Sequence, residues 1–135
     1  MTRYPDWAAR LDAFFRENAK REFRYGEWDC CLFVSSAIAA MTGVDLAERW
    51  RGTYSSRKEG RALLRRIGGV EAVTVARGMA EVSPTHARRG DLAQVLARGT
   101  VGLGIVALNG TGVVVVGDGG LMTLAIDRAV RAWMV

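Results

Sequence analysis

Apolar residues recur at helical spacing from the start of the chain. Trp7, Leu11, Phe14 and Phe15 follow Pro5, a residue suited to a first helical turn, and predict a helix over about residues 5–21. A short linker, residues 22–28, carries Phe23, Tyr25 and Gly26. Asp29 is a good N-cap type. The run after the next two residues, Leu32-Phe33-Val34-Ser35-Ser36-Ala37-Ile38-Ala39-Ala40-Met41, is apolar on nearly every face and stops before Gly43, a good C-terminal breaker. A helix of that kind is buried all round, which predicts a central helix covered by a sheet. Ser56 and Glu59 have capping-box spacing and open a third helix through Ala62, Leu63, Leu64 and Ile67, closed by Gly68-Gly69. Residues 70–77 predict a short fourth helix, and residues 83–90, with Pro84 and His86, a polar loop.

After Asp91 the period changes. Residues 92–96, 101–108, 113–116 and 121–126 are short, rich in β-branched residues and separated by glycines, the pattern of strands. Asn109-Gly110 is a hairpin turn signal. Helices first and an antiparallel meander afterwards predict an α+β fold. At 135 residues, the chain reads as one domain, residues 1–135.

Charge changes the picture little. The net charge is +5 and the pI about 9.9, which raises the question of nucleic acid. The arginines are scattered from Arg3 to Arg131 and only Lys20 and Lys58 accompany them, which describes a solvated surface rather than a phosphate stripe, so no specific nucleic acid is expected. One local cluster, Arg57, Lys58, Arg61, Arg65 and Arg66, falls on the predicted third helix and suits an acidic partner equally well. No apolar run approaches the ~20 residues of a membrane span. The N-terminus lacks the apolar core of a signal peptide, so the expected site of synthesis is a reducing cytoplasm. Two cysteines adjacent in sequence then read as free thiols.

Cys30 and Cys31 begin the apolar helix. The partial positive charge of a helix N-terminus favours a thiolate, which makes Cys30 a candidate nucleophile; the plainer reading is a small buried hydrophobe. His86 is the only histidine and hence the only imidazole base available, either swinging in from its loop or standing in solvent. One histidine and two adjacent cysteines cannot build a tetrahedral metal site, so neither metal nor cofactor is expected. Gly117-Asp118-Gly119-Gly120 reads as a turn between strands, since no Lys-Ser/Thr helix opens after it. Trp28, Trp50 and Trp133 read as packing by default.

Tyr25-Gly26-x-x-Asp29-Cys30-Cys31-x-Phe33 resembles the nucleophile motif of the NlpC-type cell-wall peptidases, papain-like cysteine enzymes that cut peptidoglycan stem peptides. Cys30 matches the nucleophile, Cys31 the usual serine, and Leu32 stands where that family usually has glycine. Arg89-Gly90-Asp91-Leu92 resembles the family's Pro-Gly-Asp-Leu, and Val101-Gly102-Leu103 the Val-Gly-Ile that follows its catalytic histidine. The resemblance spans residues 20 to 120 and implies a papain-like arrangement of N-terminal helices and a central buried helix on a C-terminal antiparallel sheet. It also implies a departure. Thr100 stands at the position of the catalytic histidine, and a threonine hydroxyl is no base near pH 7. Asp118 is the candidate for the third, histidine-orienting residue.

The Asp-Cys-Cys signature, the size and the Ala-Trp ending are also similar to small tail-tip proteins of long-tailed phages and prophages. Together these resemblances imply a tail-tip or tail-assembly component with a degenerate peptidase site. It would be made in the bacterial cytoplasm, incorporated in the virion tail, and act through contacts with other tail proteins. The alternative is an active cysteine endopeptidase that cuts peptidoglycan stem peptides with Cys30. Two contact surfaces are expected, the Arg57 to Arg66 cluster and the C-terminal Ala132-Trp133-Met134-Val135, where Trp133 either docks on its own domain or anchors a neighbour.

Overall fold

A computed structural model describes residues 1–135. Four helices, α1 (Trp7–Glu17), α2 (Cys30–Thr42), α3 (Arg57–Ile67) and α4 (Gly69–Ala76), precede every strand of the sheet. The strands are β1 (Glu81–Val82), β2 (Leu92–Ala97), β3 (Thr100–Val106), β4 (Gly112–Gly117), β5 (Gly120–Ala125) and β6 (Ala129–Trp133). They form one six-stranded sheet in the order β1-β6-β2-β3-β4-β5, antiparallel at every pairing. The α+β class follows directly. No helix is long and apolar enough to cross a membrane.

The expected first helix is too long at both ends. Asp6, not Pro5, flanks its start, and Asn18 ends it by donating its side-chain amide to the Phe14 carbonyl at 2.9 Å. That bond offers the last turn a partner other than the ladder. The α2 boundaries match the pattern: Asp29 caps the Leu32 N–H at 3.0 Å, and Gly43 closes in the left-handed region. The expected meander holds for β2 to β5 and then breaks. β6 crosses back to pair with β2 on the other side, and β1 seals its outer edge. Arg128 and Arg131 mask the apolar alternation of β6, and a two-residue strand such as β1 leaves no periodic signal.

α2 is the centre of the core. Phe33, Ala37, Ile38 and Met41 are fully buried against Leu11 of α1 and against Leu92, Leu103, Ile105, Val114 and Trp133 of the sheet. Full burial of each of the larger side chains among these contributes about 1.5–3 kcal/mol. Val95, Val106 and Val113 belong to a smaller cluster with Ala93, so alternate residues of β3 serve opposite faces of the sheet.

Both chain ends are locked to the start of β2. Asp91, 3% exposed, accepts from the Arg3 guanidinium at 2.9 Å, from the Val135 N–H at 3.2 Å and from the Arg88 N–H at 2.8 Å. Arg3 also donates to the Val135 carbonyl at 2.8 Å. The Arg89-Gly90-Asp91-Leu92 motif is thus a structural clasp. Trp133, 2% exposed, docks in its own core and so is no anchor for a neighbour, while Met134 beside it is exposed.

Candidate functional site

The site begins in the loop before α2. Arg24 and Trp28 form an isolated antiparallel bridge, and Gly26 sits at the tip with φ +78°. A side chain on Gly26 would place its Cβ 1.7 Å from the Tyr54 carbonyl oxygen, so the second loop of the site packs directly on its backbone. The Gly52 N–H donates to the Gly26 carbonyl at 3.0 Å and ties the two loops.

Asp29, 4% exposed, is the knot. One carboxylate oxygen accepts from the Leu32 N–H at 3.0 Å; the other accepts from the Gly26 N–H at 3.0 Å and from the Tyr54 hydroxyl. Three donors occupy this carboxylate, so it is committed to holding structure. Burial, followed by the bond to Asp29, pushes the Tyr54 pKa well up. Gly60 of α3 leaves room for the Tyr54 ring, which would lie 3.0 Å from a Cβ there. Sequence reasoning missed Tyr54: it lies 25 positions from Asp29, and a lone tyrosine before a capping box carries no signal of that contact.

Cys30 is the first residue of α2 and is half-buried. Hydrogen bonding from the adjacent Cys31 thiol is the main influence lowering the Cys30 pKa, with the Leu103 N–H of β3 adding to it; burial and the Asp29 charge oppose them. Cys31 is pushed well above the ordinary thiol range, first by its bond to Cys30 and then by burial. Cys30 is therefore the sulfur of the pair that ionises first. Cys31 instead faces an apolar cavity of about 80 Å³ under α3, walled by Val34, Leu63, Leu64 and Val70 among others.

The remaining positions from the sequence lie elsewhere. Thr100 opens β3 and is exposed. Leu103 and Ile105 face α2, so strand alternation turns Thr100, with Val106, to the opposite face of the sheet. His86 ends a 3-10 turn, Pro84–His86, is exposed, and its ring makes no hydrogen bond. That turn packs on β6, and β2 lies between β6 and β3. Asp118 is exposed in the two-residue β4–β5 turn. None of the three bonds to Cys30, and no group of three His, Cys, Asp or Glu side chains could hold a metal ion.

One further polar atom is notable. The indole N–H of Trp28 is buried without a partner, in a ring cluster with Phe14 and Phe33 and under the Arg21 guanidinium at 4.2 Å.

What the arrangement offers chemically is a thiol with a lowered pKa and a carboxylate already saturated by donors. A family of domains of unknown function, DUF6950, matches residues 2–135, and the chain belongs to it. No curated protein matches the chain.

Proposed function

We propose that this chain is a tail-tip or tail-assembly component of a phage or prophage, built on a papain-like NlpC-type fold and acting through protein–protein contacts. The single observation that carries the reading is the separation of thiol from imidazole. Cys30 lies at the start of the buried helix beside β3, whereas the only histidine sits on a turn against β6. A cysteine acyl transfer needs a group to take the thiol proton and return it to the leaving amine. His86 is exposed and makes no bond to Cys30, and strand alternation turns Thr100 to the other side of the sheet. The Tyr-Gly-x-x-Asp-Cys order supports descent from a nucleophile site, and here that order secures the α2 cap and the Tyr54 loop.

The alternative, an active endopeptidase, draws on the lowered Cys30 pKa. Purified sacculi separate the two readings. The expected result is no release of stem peptides by the isolated protein. Release that disappears with Cys30→Ala overturns the proposal, and its loss with His86→Ala as well would identify the base. Detection of the chain in purified tail particles tests the assembly role.

A further inference from the structure

The sheet has two edges, and only one is guarded. β1 is two residues long, its Glu81 is paired with Arg131 at 2.8 Å, and Pro84 follows it closely. Shortness, charge and proline are the usual protections of an edge against further pairing. β5, at the opposite edge, has none of them. Its six residues, Gly120-Leu121-Met122-Thr123-Leu124-Ala125, include no charge and no proline, and they pair with β4 in unbroken register. Backbone groups of successive strand residues point to opposite sides. The Leu121 N–H points away from β4, where it donates to the Ala19 carbonyl at 2.9 Å, and the Ile126 N–H returns to the Thr111 carbonyl on the β4 side. Thr123 and Ala125 therefore turn their N–H groups outward with Leu121, and neither N–H has a partner in the chain. Met122, 50% exposed, and Leu124 lie along this edge, on the sheet face they share with Val115 and Val113.

We propose that the outer edge of β5 pairs with an extended, uncharged segment of another polypeptide, which continues the line that Ala19 begins. The inference rests on the reading of the chain as an assembly component and names the backbone through which one contact is made. Outward N–H groups two residues apart need acceptors at the same spacing, which an extended backbone supplies. The edge already holds one such backbone group, the Ala19 carbonyl. β5 carries no cation to hold a phosphate, which argues against nucleic acid. Unpaired strand edges do not enter hydrocarbon, which argues against a bilayer. Ala19 argues against a second copy. Two β5 strands paired antiparallel about Thr123 would bring Ala125 of one onto Leu121 of the other, where the Ala19 carbonyl already stands. A foreign strand need only run from Thr123 onward. Its side chains would lie beside Met122 and Leu124, so apolar and β-branched residues suit it.

The test is an NMR titration of the full chain with a synthetic peptide of alternating threonine and valine, with a lysine at each end for solubility. The expected result is a saturable shift of the Thr123 and Ala125 amides and slower hydrogen exchange at both. The Met122 and Leu124 amides, which face β4, should change little. Affinity should fall about tenfold or more for the same peptide with every amide N-methylated, which keeps the side chains and removes the donors. Ala125→Pro should lower it comparably. Ala125 has φ −63°, the value proline imposes, and its N–H bonds nothing in the chain, so this variant should keep its unfolding midpoint. The proposal is overturned by no saturable shift, by shifts centred away from β5, by equal affinity for the N-methylated peptide, or by full binding to Ala125→Pro. Protection of Thr123 and Ala125 that rises with protein concentration in the absence of peptide makes a second copy the occupant and overturns it as well. Tail particles distinguish this from the parent reading. Normal incorporation of Ala125→Pro removes the edge as a contact and leaves the assembly role. A chain that pairs with the peptide but is never found in particles does the reverse.

Discussion

α2 and α3 are helices of similar length, thirteen and eleven residues, built for opposite surroundings. α2 has no charged residue and every one of its side chains is at least half-buried. α3 has Arg57, Lys58, Glu59, Arg61, Arg65 and Arg66, and nothing fully buried. Both are well capped, α2 by Asp29 and α3 by Ser56. Capping therefore decides where these helices start, and burial decides what they are for. The helix that organises the fold is recognised by apolar side chains on all faces. The exposed helix carries five cations that no ion pair in the chain engages.

The largest effect that sharpens this contrast lies at the C-terminus, on the α2 side. Trp133 is buried between α2 and the sheet, and β6 joins β1 to β2. Trp133→Ala should cost about 3–5 kcal/mol in urea unfolding, the range for emptying a large aromatic site. Removal of Ala132 to Val135 should leave little folded protein. A truncated chain with an unchanged melting transition would mean that the core does not depend on β6.

A smaller loss is expected at the clasp. Asp91→Ala leaves Arg3 and the N–H groups of Arg88 and Val135 without their acceptor. Breaking a buried pair from one side costs about 3–5 kcal/mol, and the partly exposed Arg3 side chain places this case near the lower end. Arg3→Ala should cost less than Asp91→Ala in the same assay, because the two N–H donors keep their carboxylate.

Most of the α2 side was legible in the sequence. Asp29, the apolar run and Gly43 state the central helix, and Asn109-Gly110 states the β3–β4 hairpin. β6 was not legible, because its strand value comes from pairing with β2, and Arg131 interrupts its pattern to meet Glu71 and Glu81. The site was legible in part. Cys30 at a helix start follows from local pattern alone. Tyr54 does not, since its bond to Asp29 is made by tertiary packing, and neither does the face on which Thr100 lies, which requires the register of β3.

Tyr54 joins the two regions, and its removal should have an intermediate effect. Tyr54→Phe deletes a hydrogen bond to a charged acceptor, which is worth about 1.5–3 kcal/mol. It should also change the pH dependence. An unfolded tyrosine ionises near pH 10, while the native hydroxyl is held protonated to higher pH. Above about pH 10 the native state therefore binds more protons than the unfolded one, and stability falls as pH rises; below it the contribution is fully present. Unfolding curves between pH 8 and about 11 should show this decline in the wild type and a shallower one in Tyr54→Phe. Equal slopes would mean that the bond does not hold the proton.

The smallest expected change has the opposite sign. Arg57, Arg61 and Arg65 are spaced four apart on one exposed face of α3, where like charges destabilise a helix by about 0.2–0.5 kcal/mol per pair. Arg61→Glu turns both repulsions into attractions. It touches no buried contact, so the chain should become more stable by about 1–2 kcal/mol at most, read as a small rise in the urea midpoint. Such a gain is one substitution away, and the chain does not take it. A gain of that size is ordinary for a natural surface, since chains are rarely at their stability optimum. If Arg61→Glu instead destabilises by several kcal/mol, the arginine holds α3 in place, and the division between a fold-bearing α2 and an exposed α3 fails.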